Sequence, residues 1–127
     1  MIQALFNQTN YAVTKKLLDA TVVRHQAIAG NLANVETPNY KRVDVSPSFQ
    51  TELVAAVKAN DASRVSGLQA PTLSVDQTAV ASNRDGNSVN LEQEMLAMNE
   101  NSLAHSLETQ LITGTMLKLR MAITGRS

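Results

Sequence analysis

The sequence predicts a mostly α fold: a long antiparallel pair of N- and C-terminal helices, coiled-coil-like, with a short middle helix and a flexible or weakly β arm. Three observations predict it. Apolar residues recur at steps of three, four and seven near both ends of the chain, as a helical face requires. The 127 residues include no Trp, two Phe and two Tyr, so burial rests on aliphatic seams rather than on large aromatics of ~150–250 Å² each. Between the terminal segments, residues 60–87 lose helical periodicity and become rich in Ser, Asp, Asn, Gly and Thr.

The first helix begins near Thr9 or Asn10 and ends near Asn34, within a unit spanning residues 9–35. Tyr11, Leu18, Val22, His25, Ala29 and Leu32 form one stripe, and Val13, Leu17, Ala20, Ala27 and Ile28 widen it. Thr37-Pro38 supplies the stop, because proline lacks an N–H and disfavours αR at the residue before it. Asn34 suits the closing turn, through αL backbone or local hydrogen bonds. Asn39 suits a turn position that needs positive φ. Residues 36–59 then hold a turn, an extended segment and a short helix. Val43 and Val45 alternate with Asp44 and Ser46, and Pro47 breaks the pattern. A helix from Ser48, the expected N-cap, to about Ala59 presents Phe49, Leu53, Val54 and Val57. Lys41-Arg42 is expected to be a solvated pair.

Residues 60–88 form an arm or linker punctuated by Pro71 and the Asp85-Gly86-Asn87 turn. So long a stretch without periodicity is expected to be poorly ordered in the lone subunit, or weakly β. The last helix occupies 89–124. Asn90 is its N-cap, with Gln93 three residues on. Glu92 and Glu94 are expected as terminus charges, Lys118 and Arg120 complement the other end, and Gly125 stops the helix. One heptad-spaced row runs through Leu91, Met95, Met98, Ser102, His105, Thr109, Ile112, Met116, Leu119 and Ile123. Another runs through Leu96, Leu103, Leu107, Gly114, Leu117 and Met121. A single partner helix covers one row, so the other needs a second subunit. Gly114 is expected to let another backbone approach closely.

Composition excludes several function classes. Eleven basic and eleven acidic residues balance, so no basic excess points to nucleic acid or an anionic membrane. Cysteine is absent, which removes disulfides, thiolate metal sites and Cys nucleophiles. No run approaches the ~20 apolar residues of a membrane span, and Met1–Asn7 is not expected to be a cleaved secretory signal. The two histidines, His25 and His105, lack a second ligand at metal-binding spacing. No phosphate loop, zinc motif or nucleophile elbow occurs. The expectation is a protein without catalysis or cofactor.

These residues resemble the bacterial flagellar rod and hook axial protein family. Asn31-Leu32 followed by Ala33-Asn34-Val35-Glu36-Thr37-Pro38-Asn39-Tyr40 is similar to a family element reading A-N-x-x-T-P-G-Y, with Asn39 in place of the usual Gly. Asp85-Gly86-Asn87-Ser88-Val89-Asn90-Leu91, Glu94-Met95, Asn101-Ser102-Leu103 and the final helix to Gly125 look like the family's proximal rod subunits. The likeness covers about residues 9–57 and 85–126, and His105 stands where related rod subunits often carry Tyr.

The resemblance implies a structural subunit of the basal-body proximal rod, part of the drive shaft that crosses the periplasm. Such subunits polymerise helically through their terminal helices after flagellar type III export without signal cleavage. The implied partners are further copies of the chain, other proximal rod subunits, the MS-ring/export-gate adaptor protein and the type III export apparatus. Asn31, Ala33, Asn34, Thr37, Pro38, Asn39 and Tyr40 are the motif and turn. Leu18, Val22, Ala29, Leu32, Leu96, Leu103, Leu107, Gly114, Leu117 and Met121 are the expected assembly seams, one joining the terminal helices and the other joining neighbours. Phe49 and Leu53 fit a Phe-x-x-x-apolar pattern associated with docking at the export gate, so Phe49→Ala is expected to cut secretion while leaving folding alone. The alternatives are another proximal rod subunit or a flagellar export chaperone or adaptor.

Overall fold

Helix α1 spans Gln8–Ala33 and, at the far end of the chain, a helix of 34 residues spans Leu91–Thr124. A computed structural model of the chain describes residues 8–81 and 84–125. Between the two long helices come β1 (Val43–Val45), α2 (Pro47–Lys58), α3 (Ala62–Ser66) and β2 (Leu73–Val75), so the last helix is α4. The long helices are antiparallel. Thr21 of α1 meets Asn101 and His105, whereas Asn31, farther along α1, meets Glu94 near the start of α4. At ~1.5 Å rise per residue α4 is about 50 Å long.

The terminal signals act as their chemistry requires. Asn90 Oδ1 accepts the Gln93 N–H at 3.1 Å, and Gly125 closes α4 in the left-handed region at φ 64°. Helix α2 starts earlier than expected. Pro47 opens it instead of breaking the chain, because the first helical position needs no N–H. Ser48 therefore lies inside the helix, with its hydroxyl 3.1 Å from that of Ser46.

The arm carries the weak β structure expected of it, as an antiparallel ribbon pairing Val43 with Val75, Asp44 with Ser74 and Val45 with Leu73. It also holds a helix its composition did not signal. Asp61 caps α3 by accepting the Arg64 N–H at 3.1 Å, and Asn60, at φ 49°, reverses the chain just before it.

Helices α1, α2 and α3 close a small apolar core of Ala12, Phe49, Leu53, Ala56 and Val65. Steps of four and three along α2 bring Phe49, Leu53 and Ala56 to one face, leaving Val54 and Val57 exposed. Phe49 and Leu53 are buried in the folded subunit, so Phe49→Ala removes core contacts as well as the Phe-x-x-x-apolar pattern.

The seam between α1 and α4 also differs from expectation. The buried residues of α4 are Glu94, Ala97 and Asn101, and α1 buries Thr21, Ala27, Ile28 and Asn31. Of the two heptad-spaced rows of α4, the one from Leu91 to Ile123 lies on the seam side. There His105 meets Thr21, and Met98, Ile112 and Leu119 are half-buried, whereas the Leu96–Met121 row turns away. Periodicity identifies a face that wants burial but says nothing of which chain covers it.

Candidate functional site

The two stretches that carry the family likeness lie side by side. Asn87 is fully buried, and its Nδ2 donates to the carbonyls of Asn34, Val35 and Thr37 at 2.8, 3.1 and 2.8 Å. These carbonyls belong to the turn that follows α1, so one amide side chain holds the chain's exit from the helix. The Asn39 N–H donates to Asp85 O at 2.9 Å, the Ser88 N–H to Tyr40 O at 3.0 Å and Lys41 Nζ to Gly86 O at 3.0 Å. Asn39 sits at φ 60°, the positive value its position predicted. Gly86, at φ 80°, packs so tightly on it that an added Cβ would lie 2.5 Å from Asn39 Oδ1. Asn34 works through local bonds: its Nδ2 donates to Gly30 O at 2.8 Å, and its Oδ1 accepts from the Thr37 hydroxyl at 3.1 Å. The Tyr40 hydroxyl comes within contact of the Gly30 position, while Ala33 and Pro38 are exposed.

A charge cluster extends this clamp into the helix seam. Arg42 Nε donates to Glu94 Oε1, and its guanidinium reaches Asp44 at 3.0 Å and Asp76 at 2.8 Å. Glu94 is completely buried and also accepts from Asn31 Nδ2 at 3.3 Å. Asn31 turns its amide to β1 as a substitute strand, accepting the Val43 N–H at 3.0 Å and donating to Val43 O at 2.8 Å. The Arg42 N–H bonds Ser88 Oγ at 2.8 Å, tying cluster to clamp. Burial would lower the Arg42 pKa, but the bonds and charges of Glu94 and Asp44 outweigh it and leave the guanidinium above its ordinary value. Lys41-Arg42, expected as a solvated pair, is therefore divided. Arg42 joins α4, β1 and the arm, while Lys41 stays at the surface.

The residues assigned to assembly seams point elsewhere. At about 100° per residue, Leu96, Leu103, Leu107, Gly114, Leu117 and Met121 lie roughly 140–220° around α4 from Glu94. Leu103 is 72% exposed, and Leu96, Leu107, Leu117 and Met121 are exposed too. On α1, Leu18, Val22, Ala29 and Leu32 lie roughly 100–180° from Asn31; Val22 and Ala29 are exposed and the other two half-buried. Among the described residues, nothing outside the helix's own turns lies within 4 Å of where a Cβ on Gly114 would sit. His25 and His105 line one groove between the helices, where His105 Nδ1 lies 3.1 Å from the Thr21 hydroxyl. The described residues contain no group of three or more potential metal ligands.

The chain is 31% identical over 113 residues to the flagellar basal body rod protein FlgB of Borrelia hermsii, covering 76% of this chain and 82% of that protein. To the protein of the same name from Aquifex aeolicus it is 30% identical over 115 residues, covering 89% and 91%. The chain belongs to the FlgB family. The Bacillus subtilis FlgB is 26% identical over 115 residues, covering 81% of this chain and 84% of that protein. No family model matches the chain.

In this FlgB-family chain, sequence reasoning found the turn and missed the residues that hold it. Glu94 was expected as a terminus charge and Asn87 as part of a turn; both, with Asn101, carried the family likeness without a packing role, and Thr21 had none. One signal was present: Glu94, Asn101 and Glu108 form a heptad-spaced polar row on an otherwise aliphatic helix. Asn101 Nδ2 donates to Thr21 O at 2.8 Å across the seam.

Proposed function

We propose that this protein is a structural subunit of the bacterial flagellar basal-body proximal rod, part of the drive shaft, and that it catalyses nothing. One observation carries the reading. In a FlgB-family chain, α4 turns its regular apolar row away from its own partner helix, with Leu103 72% exposed. An apolar row this long is a surface for other subunits. The terminal helices polymerise through it, with further copies and other proximal rod subunits as neighbours and the MS-ring/export-gate adaptor protein at the base. The chain reaches the periplasm through the flagellar type III apparatus. Among the described residues no helix is long and apolar enough to cross a membrane, which suits a subunit held by protein contacts.

Leu103→Glu and Leu107→Glu test this. Each places a charge in a subunit interface and leaves the fold alone, since both side chains are exposed in the subunit. In cells relying on the variant, the protein should be missing from purified basal bodies and motility should be lost. Normal incorporation and swimming would sink the seam assignment. Wild-type protein found only in the cytoplasmic fraction would favour an export chaperone or adaptor instead.

A further inference from the structure

A groove of about 510 Å³ lies where α1, α2 and α4 meet, beside the seam. Leu17, Phe49, Leu53 and Ala104 give it apolar walls, and Glu108 stands at its α4 side. Glu108 Oε2 is buried and has no hydrogen-bond partner, the one such side-chain atom among the described residues. Desolvation raises the Glu108 pKa, and Thr21 and His105 only partly oppose it.

Thr21 and Asn101, the donors nearest Glu108 on α1 and α4, are already bonded, Arg24 faces Asp44, and Gln50 also lines the groove. Arg24 Nε lies 3.5 Å from Asp44 Oδ1. The Thr21 hydroxyl donates to Leu18 O at 2.8 Å, so it can only accept from His105 Nδ1. Asn101 gives its amide to Thr21 O. A buried acceptor left open inside a well-bonded region calls for a donor from outside. Apolar walls ending at a carboxylate match a side chain with an aliphatic stem and a cationic head.

We infer that this groove receives a Lys side chain of a second copy of the chain, with Glu108 as its counter-charge. The inference rests on the assembly reading and names the polar contact that would set its register. Charge complementarity selects the donors. Lys15 lies roughly 200° around α1 from Asn31, beside Val22 and Ala29, and Lys118 roughly 240° around α4 from Glu94, beside Leu107. Both are exposed, and neither joins an ion pair in the described structure. They edge the apolar faces that a neighbouring copy would meet. A partly buried ion pair of this kind specifies partner and register more than it adds affinity.

Sedimentation of the full chain over a concentration series tests the pairing, with circular dichroism confirming the fold of each variant. Glu108→Lys should raise the concentration needed for self-association at least tenfold, and Glu108→Gln, which keeps the shape, at least threefold. Adding Lys15→Glu or Lys118→Glu to Glu108→Lys should restore association to within threefold of wild type. Unchanged association in Glu108→Lys and Glu108→Gln overturns the inference, as does a loss that neither charge swap restores. Leu103→Glu separates the two levels. Association that fails in Leu103→Glu but ignores both Glu108 variants leaves the assembly reading standing and removes the Glu108 contact. Association indifferent to all three removes both.

Discussion

Replacing Arg42 by Met takes away one guanidinium and leaves three carboxylates facing one another. Glu94 suffers most, because its side chain is 1% exposed and retains only Asn31 Nδ2 at 3.3 Å. Removing one partner of a buried pair costs about 3–5 kcal/mol, since the other charge is left without compensation. Asp44 and Asp76 are 26% and 20% exposed, so solvent screens their share and each adds at most about 1 kcal/mol. Asp44 also keeps Arg24. The expected loss is about 3–7 kcal/mol, a large part of the roughly 5–15 kcal/mol of an ordinary domain. With a urea slope of ~2 kcal/mol per M, the unfolding midpoint should fall by about 2 M. The double variant Arg42→Met/Glu94→Met should recover most of this, because an apolar pair of similar volume leaves no fully buried charge, only the partly exposed Asp44 and Asp76. Equilibrium urea unfolding of wild type, both single variants and the double measures all four corners. A single Arg42→Met variant within about 1 kcal/mol of wild type, or a double as unstable as that single, refutes the account of Arg42 as the tie between arm and helix.

Asn39→Gly should be nearly neutral in the same assay, because the φ of 60° suits glycine, whereas Asn39→Val should lose about 1–2 kcal/mol or more from left-handed strain. Gly86→Ala should be worse than Asn39→Val, since it meets both a φ of 80° and the Asn39 side chain; equal stability of wild type and Gly86→Ala would disprove the close packing of the clamp. Phe49→Ala should cost about 3–5 kcal/mol through the core, and an unchanged urea midpoint would remove Phe49 from that core. Acid should weaken Asp76. Its carboxyl is held below the ordinary 3.8 first by the Thr78 hydroxyl, and also by the Thr78 N–H and Arg42, against the opposing effect of desolvation. A depressed folded value means this stabilisation is present above 3.8 and is lost as pH falls through the folded value. The stability gap between wild type and Asp76→Asn should therefore narrow below that pH, and a gap independent of pH would contradict the assignment.

What the sequence made legible follows from which interactions are local. The Asn90 cap, the Gly125 stop and the positive φ of Asn39 depend on residues within a turn of each other, and all three stand. The polar seam depends on partners far apart in the chain. Arg42 meets Asp76 and Glu94, and Asn87 meets the end of α1, so no window of sequence contains both ends of any of these bonds. Apolar stripes mislead for a different reason. Leu18, Val22, Ala29 and the Leu96–Met121 row repeat with helical period because they are faces suited to burial, and their period is the same whether the covering helix is in this chain or another.

The subunit's own seam and the proposed assembly surface thus lie on opposite sides of the same two helices. The inward side uses Thr21, Asn31, Glu94 and Asn101, whose hydrogen bonds fit one register only, since a slip of one residue would strand Glu94 without Asn31 and Arg42. The outward side carries Leu, Val, Ala and Met, which would pack against a proposed neighbour without directional bonds. Substitutions should separate accordingly. Arg42→Met should unfold the subunit before any question of polymerisation arises, whereas Leu103→Glu should leave the unfolding free energy within about 0.5 kcal/mol of wild type while preventing self-association. If Leu103→Glu instead lowered the midpoint as far as Arg42→Met, the outward row would be part of the subunit's own fold, and the division of labour between the two sides would be wrong.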